Sequence, residues 1–157
     1  MSEEKIIDLD PITIQKYQQN KHPILFIDRI TEIVPGSSAK GFKNFSYTEW
    51  YFPAHYSDEA VVPGFITIEA LTQVFIMTFL SLPQNKGKKT NYISIEKAIF
   101  RKRIFPGDKL EMEAHLHSFR RGIAKGMVIG TVNSEKASEI QLTVALPDVL
   151  SQFKPRE

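Results

Sequence analysis

"GFITIEALTQVFIMTFLSL", residues 64–82, is the longest apolar stretch in the chain and decides its architecture. As a helix its 19 residues would run about 28 Å at 1.5 Å per residue. Apolar side chains fall on nearly every face, so the helix needs protein on all sides rather than on one stripe. Pro63 and Gly64 open it and Pro83 closes it. Glu69 and Gln73 interrupt it too strongly for a membrane span, and no transmembrane segment is expected.

The cover for this helix lies in the second half of the sequence. "NYISIEKAIF" (91–100) is rich in β-branched and aromatic residues. In "KLEMEAHLHSF" Leu110, Met112, Ala114 and Leu116 alternate with polar neighbours, the period of a half-buried strand. "IAKGMVIGTV" (123–132) and the alternation of Ile140, Leu142, Val144 and Leu146 add two more. On the N-terminal side "ILFIDRITEIV" (24–34) reads as a strand, "PGSS" as a turn and "AKGFKNFSY" (39–47) as its return. Residues 5–20 read as a short leading helix and residues 48–63 as a loop of functional length. Strands at short spacing form antiparallel sheets. The fold class is therefore α+β: one sheet curled around one long helix, a single domain over 1–157 with a leading segment 1–20.

The chain has 20 Lys and Arg against 18 Asp and Glu, a net charge of +2 that is too balanced for bulk nucleic-acid binding. It has no cysteine, which removes disulfides, thiolate ligands and cysteine nucleophiles and suits a cytoplasmic protein. The acidic start "MSEEKIIDLD" is unlike a secretory signal.

Four histidines need placing. His115 and His117 form an H-x-H pair, but on the polar face of a regular strand, and no metal site is expected. His22 precedes Pro23 at a strand entry and suits a turn. His55 differs, because it sits in an aromatic-rich loop just before the central helix. Glu69 on that helix pairs with Gln73 one turn on, sits at an exposed patch, or is desolvated. Desolvation would raise its pKa and keep it protonated as a general acid. Gly64 lets a ligand approach the unpaired N–H groups of the helix start. A base, an acid and an oxyanion donor within fifteen positions suffice for an elimination.

Ordered along the chain, "HPILFIDRI", "YFPAHY", "VPGFITIEALTQ", "AIFRKRIFPGDKLEME", "RRGIAKG" and "SEIQLTVAL" resemble the 3-hydroxyacyl-[acyl-carrier-protein] dehydratases of fatty-acid synthesis over about residues 20–146. The resemblance implies a hot-dog fold, a homodimer or trimer of dimers, and sites shared between subunits. It implies His55 as base, Glu69 as acid, the Gly64 N–H on the thioester carbonyl, and no cofactor. It also implies an acyl tunnel along the helix, lined by some of Phe65, Ile68, Phe75 and Phe79. The partner it implies is an acidic acyl carrier protein, for which Arg101, Lys102, Arg103, Arg120, Arg121 and Lys125 are the candidate docking cations.

The sequence departs from that family at several places. Ala54 replaces a glycine before the histidine, Tyr56-Ser57 replaces Phe-Pro after it, and Arg103 replaces a proline. Gln18 to Lys21 stand where Leu-Pro-His-Arg is common, and the turn "NSEK" (133–136) lacks its glycine. If position 54 requires a positive φ, alanine strains the loop that aims His55. An acyl thioesterase and a non-catalytic acyl-carrier binding module are the competing readings.

Overall fold

The computed structural model describes residues 4–153, so residues 1–3 of the leading segment and 154–157 of the single-domain span lie outside the described residues. The sheet has seven strands, β1 (Ile6–Leu9), β2 (Arg29–Val34), β3 (Ser38–Asn44), β4 (Asn91–Phe100), β5 (Lys109–Arg120), β6 (Ile123–Val132) and β7 (Glu135–Ala145), in the order β1-β2-β3-β5-β6-β7-β4. Every neighbouring pair is antiparallel. Three helical segments matter for the site: α1 (Pro11–Ile14), α2 (Tyr51–His55) and α3 (Gly64–Leu80). The sheet curls around α3, which packs on β2, β3, β5, β6 and β7. This is the hot-dog arrangement.

The strands follow the alternation. On β5, Leu110, Met112 and Ala114 are buried against the helix while Lys109, Glu111, Glu113 and His115 face out. β6 can come this close to β5 and to the helix because Gly126 lacks a side chain. A Cβ there would lie 2.2 Å from the His115 carbonyl oxygen and 2.5 Å from the Phe75 ring. The β6–β7 turn takes positive φ at Asn133 (50°) and Ser134 (64°), so the two residues adopt the conformation that a glycine adopts at less steric cost.

From Ala70 to Leu80 every residue of α3 is buried. Its last turn is closed by tertiary donors rather than by a glycine cap. The Gly36 N–H donates to the Thr78 carbonyl (2.7 Å) and the Asn85 amide to the Phe79 carbonyl (3.0 Å). Its first turn is different: Gly64 and Phe65 are exposed, and Ile68 and Glu69 are only partly covered. The helix is thus wrapped along its length but open at its start.

Three N-terminal expectations change. Residues 5–20 hold no single helix, because β1 pairs with the edge of β2 and Asp10 then caps the four-residue α1. The strand expected over 24–34 is ladder only from Arg29. Before it, Ile24 and Phe26 place their backbone groups on the Gln73 side chain. The loop over 48–63 contains α2, with Pro53 tolerated in the first turn of so short a helix.

Among the described residues β4 ends the sheet, with no strand on its far side. It is a ten-residue edge, and it exposes Tyr92, Ile93 (51%), Ile95 and Phe100 (53%). No helix among the described residues is long and apolar enough to cross a membrane.

Candidate active site

His55 is the last residue of α2, a helix anchored by the buried rings of Tyr51 and Phe52. Ahead of it, the nearly buried Lys43 ammonium donates to Glu49 at 2.6 Å and lies 3.5 Å from Asp28, tying the segment to β3. His55 Nδ1 is 2.9 Å from the Val61 carbonyl oxygen. A carbonyl can only accept, so Nδ1 carries the proton and Nε2 presents its lone pair. The Tyr56 ring stacks on the imidazole at 3.8 Å between centroids. The arrangement is that of an oriented base.

Ala54 is part of α2 and is not among the residues with positive φ, so it imposes no strain. Position 54 does not take the positive φ that would favour glycine. Ala54→Gly would instead loosen an exposed helical position, at a cost of about 0.5–1 kcal/mol. We expect a melting point a few degrees lower and turnover no higher than that of the wild type, measurable by a thermal scan and a steady-state assay.

Glu69 stands one turn into α3, and both its oxygens are occupied. Gln73 Nε2 donates to Oε1 at 3.0 Å and Tyr92 Oη donates to Oε2 at 2.7 Å. Pairing with Gln73 and a place at a partly open site, posed as alternatives from the sequence, therefore coexist. Phe65, Ile68 and Glu69 line an apolar cavity of about 530 Å³ with Ile24, Trp50 and Tyr92. Phe75 and Phe79 do not join them. They are fully buried, edge to face with each other, and Phe79 stacks on Phe119 at 5.4 Å.

Gly64 borders a second cavity of about 250 Å³, with Val61, Thr67, Phe100 and Lys102. A Cβ at Gly64 would stand 3.3 Å from the Phe100 ring, tight enough to press on the mouth of this cavity. Ile66 and Thr67 donate to Pro63, which leaves the Gly64 and Phe65 N–H groups as the donors of the open helix start. His55 does not line the cavity that Glu69 lines, and only its partner Val61 reaches the one at Gly64.

Of the candidate docking cations, Arg101, Lys102 and Arg103 border the Gly64 cavity and pair with Glu139 (3.6 Å), Glu135 (3.3 Å) and Glu59 (2.8 Å). Arg120 and Arg121 lie at the far end of the sheet, at the β5–β6 turn beside Ala145. Lys125 is on the outer face near Glu96 and His117. His115 pairs with Glu113 at 3.1 Å on the same face, and among the described residues no cluster of three potential metal ligands forms.

Residues 19–141 match the sequence model of the FabA-like domain. The chain belongs to the FabA-like family. It is 38% identical to a 3-hydroxyacyl-[acyl-carrier-protein] dehydratase FabZ of Acetivibrio thermocellus over 140 residues, covering 89% of this chain and 96% of the relative. It is 36% identical to the FabZ of Bacillus subtilis over 138 residues, covering 88% and 98%. Among solved structures it superposes on the dehydratase heterocomplex ApeI:P of Xenorhabdus doucetiae with a TM-score of 0.74 at 10% identity, covering 89% and 95%. An acyl-CoA hydrolase mutant of Staphylococcus aureus gives 0.54 at 16% identity, covering 76% and 71%. These two likenesses establish the fold and leave the reaction to the site.

The sequence singled out His55, Gly64 and Glu69 but missed Tyr92. No local pattern marks Tyr92, because its contact with Glu69 spans 23 positions and forms only when β4 folds past α3.

Proposed function

We propose that the chain dehydrates 3-hydroxyacyl groups carried as thioesters on acyl carrier protein, giving the trans-2-enoyl thioester and water. The observation that carries this reading is an imidazole locked by Val61 with Nε2 free, in a family whose curated relatives are named for this reaction. His55 Nε2 takes a proton from C2, and the electron pair moves onto the thioester oxygen. The Gly64 N–H and the positive end of α3 stabilise that oxygen. As the C2=C3 bond forms, the C3–O bond breaks and Glu69 gives its proton to the departing hydroxyl. The thioester acidifies C2, so the reaction requires no cofactor. The acyl chain lies against Phe65 and Ile68.

The protein acts as a homodimer with two shared sites. A long apolar edge left bare is an aggregation hazard, and pairing β4 with β4 of a second copy removes it. Such pairing covers Tyr92, Ile93 and Ile95 and brings the partner's His55 to this chain's Glu69. Being antiparallel, it also places Arg120 of the partner subunit at the sheet end that holds Arg101 and Lys102. The carrier docks on that combined basic surface. Reversing Arg101 and Lys102 to glutamate should raise the KM for carrier-bound substrate several-fold and weaken its salt dependence. The KM for a pantetheine thioester should hardly move. Equal losses on both substrates would place these cations in the fold instead.

Incubation with a panel of 3-hydroxyacyl carriers, followed by mass spectrometry, tests the reaction itself. Loss of one water with the thioester intact is the expected result. Release of free thiol would make the protein a thioesterase, and binding without turnover would make it a carrier-binding module.

A further inference from the structure

The clamp on Glu69 is asymmetric. Gln73 is wholly buried and cannot turn its amide over: Oε1 accepts from the Phe26 N–H at 2.7 Å, while Nε2 donates to the Ile24 carbonyl at 2.7 Å and to Glu69 Oε1. Reversed, it would set donor against donor at Phe26 and acceptor against acceptor at Ile24. Glu69 Oε1 therefore faces a group that can only donate, whatever the charge on the carboxyl. A proton on Oε1 would compete with that bond, so the transferable proton belongs on Oε2.

Oε2 faces Tyr92. Unlike the amide, a phenol O–H rotates about its C–O bond and can donate to one lone pair of Oε2 while the other carries or loses the proton. Burial of the phenol end, and then the charge of Glu69 beside it, push the Tyr92 pKa well above its ordinary value. Tyr92 thus remains a donor and does not compete as an acid. Ile24, Phe26, Ile68 and Ile95 line the same cavity, and the β4 pairing that would cover this edge would leave the pair in apolar surroundings, where a hydrogen bond to a charge counts for more.

We propose that Tyr92 is a positioning residue for Glu69: its hydroxyl holds Oε2 as the proton-bearing oxygen and stabilises the carboxylate left when the proton passes to the departing C3 hydroxyl. This rests on the dehydratase reading. The bond strengthens as charge develops on Oε2, so it favours the transition state over the bound substrate.

Three measurements test it. Tyr92→Phe keeps the ring and should lower kcat about 10- to 100-fold, the loss of one hydrogen bond to a charged group, with KM and melting temperature nearly unchanged. In a Glu69→Gln background the same change should alter the residual rate by less than about 2-fold, because the two act as one unit. Should Tyr92→Phe fail to fold, Tyr92→Gln and Tyr92→Met form a pair similar in size that differs in a donor amide. The Gln variant should be several-fold faster. Wild-type kcat in Tyr92→Phe, equal losses in both backgrounds, or equal rates for Gln and Met would overturn the assignment. The dehydratase reading would stand in each case so long as Glu69→Gln alone is impaired. Full turnover by Glu69→Gln alone would remove that reading first.

Discussion

Replacing His55 by alanine should abolish measurable dehydration, a loss at or beyond the upper end of the 10²–10⁴-fold typical of acid–base groups. In the assigned site Glu69 enters carrying the proton that it gives to the departing hydroxyl, with Gln73 on one oxygen and Tyr92 on the other, so the C2 proton is left to His55. The side chain ends a helix whose anchors are Tyr51 and Phe52, so its removal leaves α2 seated. Binding of the acyl carrier, followed by calorimetry, should survive within a few-fold. A His55→Ala variant that still turns over substrate would show that the base lies elsewhere.

Glu69→Gln should cost about 10²–10⁴-fold in kcat. The amide keeps the shape and can still bond to Gln73 and Tyr92, but it has no proton to give. Because Glu69 is only partly covered at the open start of α3, the melting temperature should move by no more than a few degrees. A selective fall in kcat with KM retained marks a group that acts in the transition state. Near-normal turnover in this variant would remove Glu69 from the chemistry.

How far these residues could be read from the sequence depends on how local their physics is. Strands β5, β6 and β7 were legible because burial writes its period directly into the chain, as in Leu110, Met112 and Ala114, and the central helix because it is apolar on nearly every face. Residues 24–28 misread as strand because their composition suits a ladder, while their backbone partners come from Gln73, nearly fifty positions away. Residues 5–20 misread as helix for a related reason: β1 exists only because the edge of β2 is there to pair with it.

The site divides the same way. His55, Gly64 and Glu69 stand out as residue types that conflict with their surroundings. The role of Ala54 was misjudged because a helical turn at 51–55 is too short to show a period. Tyr92 was invisible because a tyrosine on a strand is ordinary until its hydroxyl is seen on Glu69.

The central claim is that two chains complete one dehydrating site, and mixing two inactive variants tests it most directly. His55→Ala and Glu69→Gln chains, separately tagged, are co-expressed, and the mixed dimers are assayed against a 3-hydroxyacyl carrier. In a mixed dimer one site carries both defects and the other carries an intact His55 from one chain and an intact Glu69 from its partner. With one intact site of two, the purified mixed dimers should regain about one half of wild-type activity. Mixed dimers that form but stay as inactive as either parent would contradict the shared site.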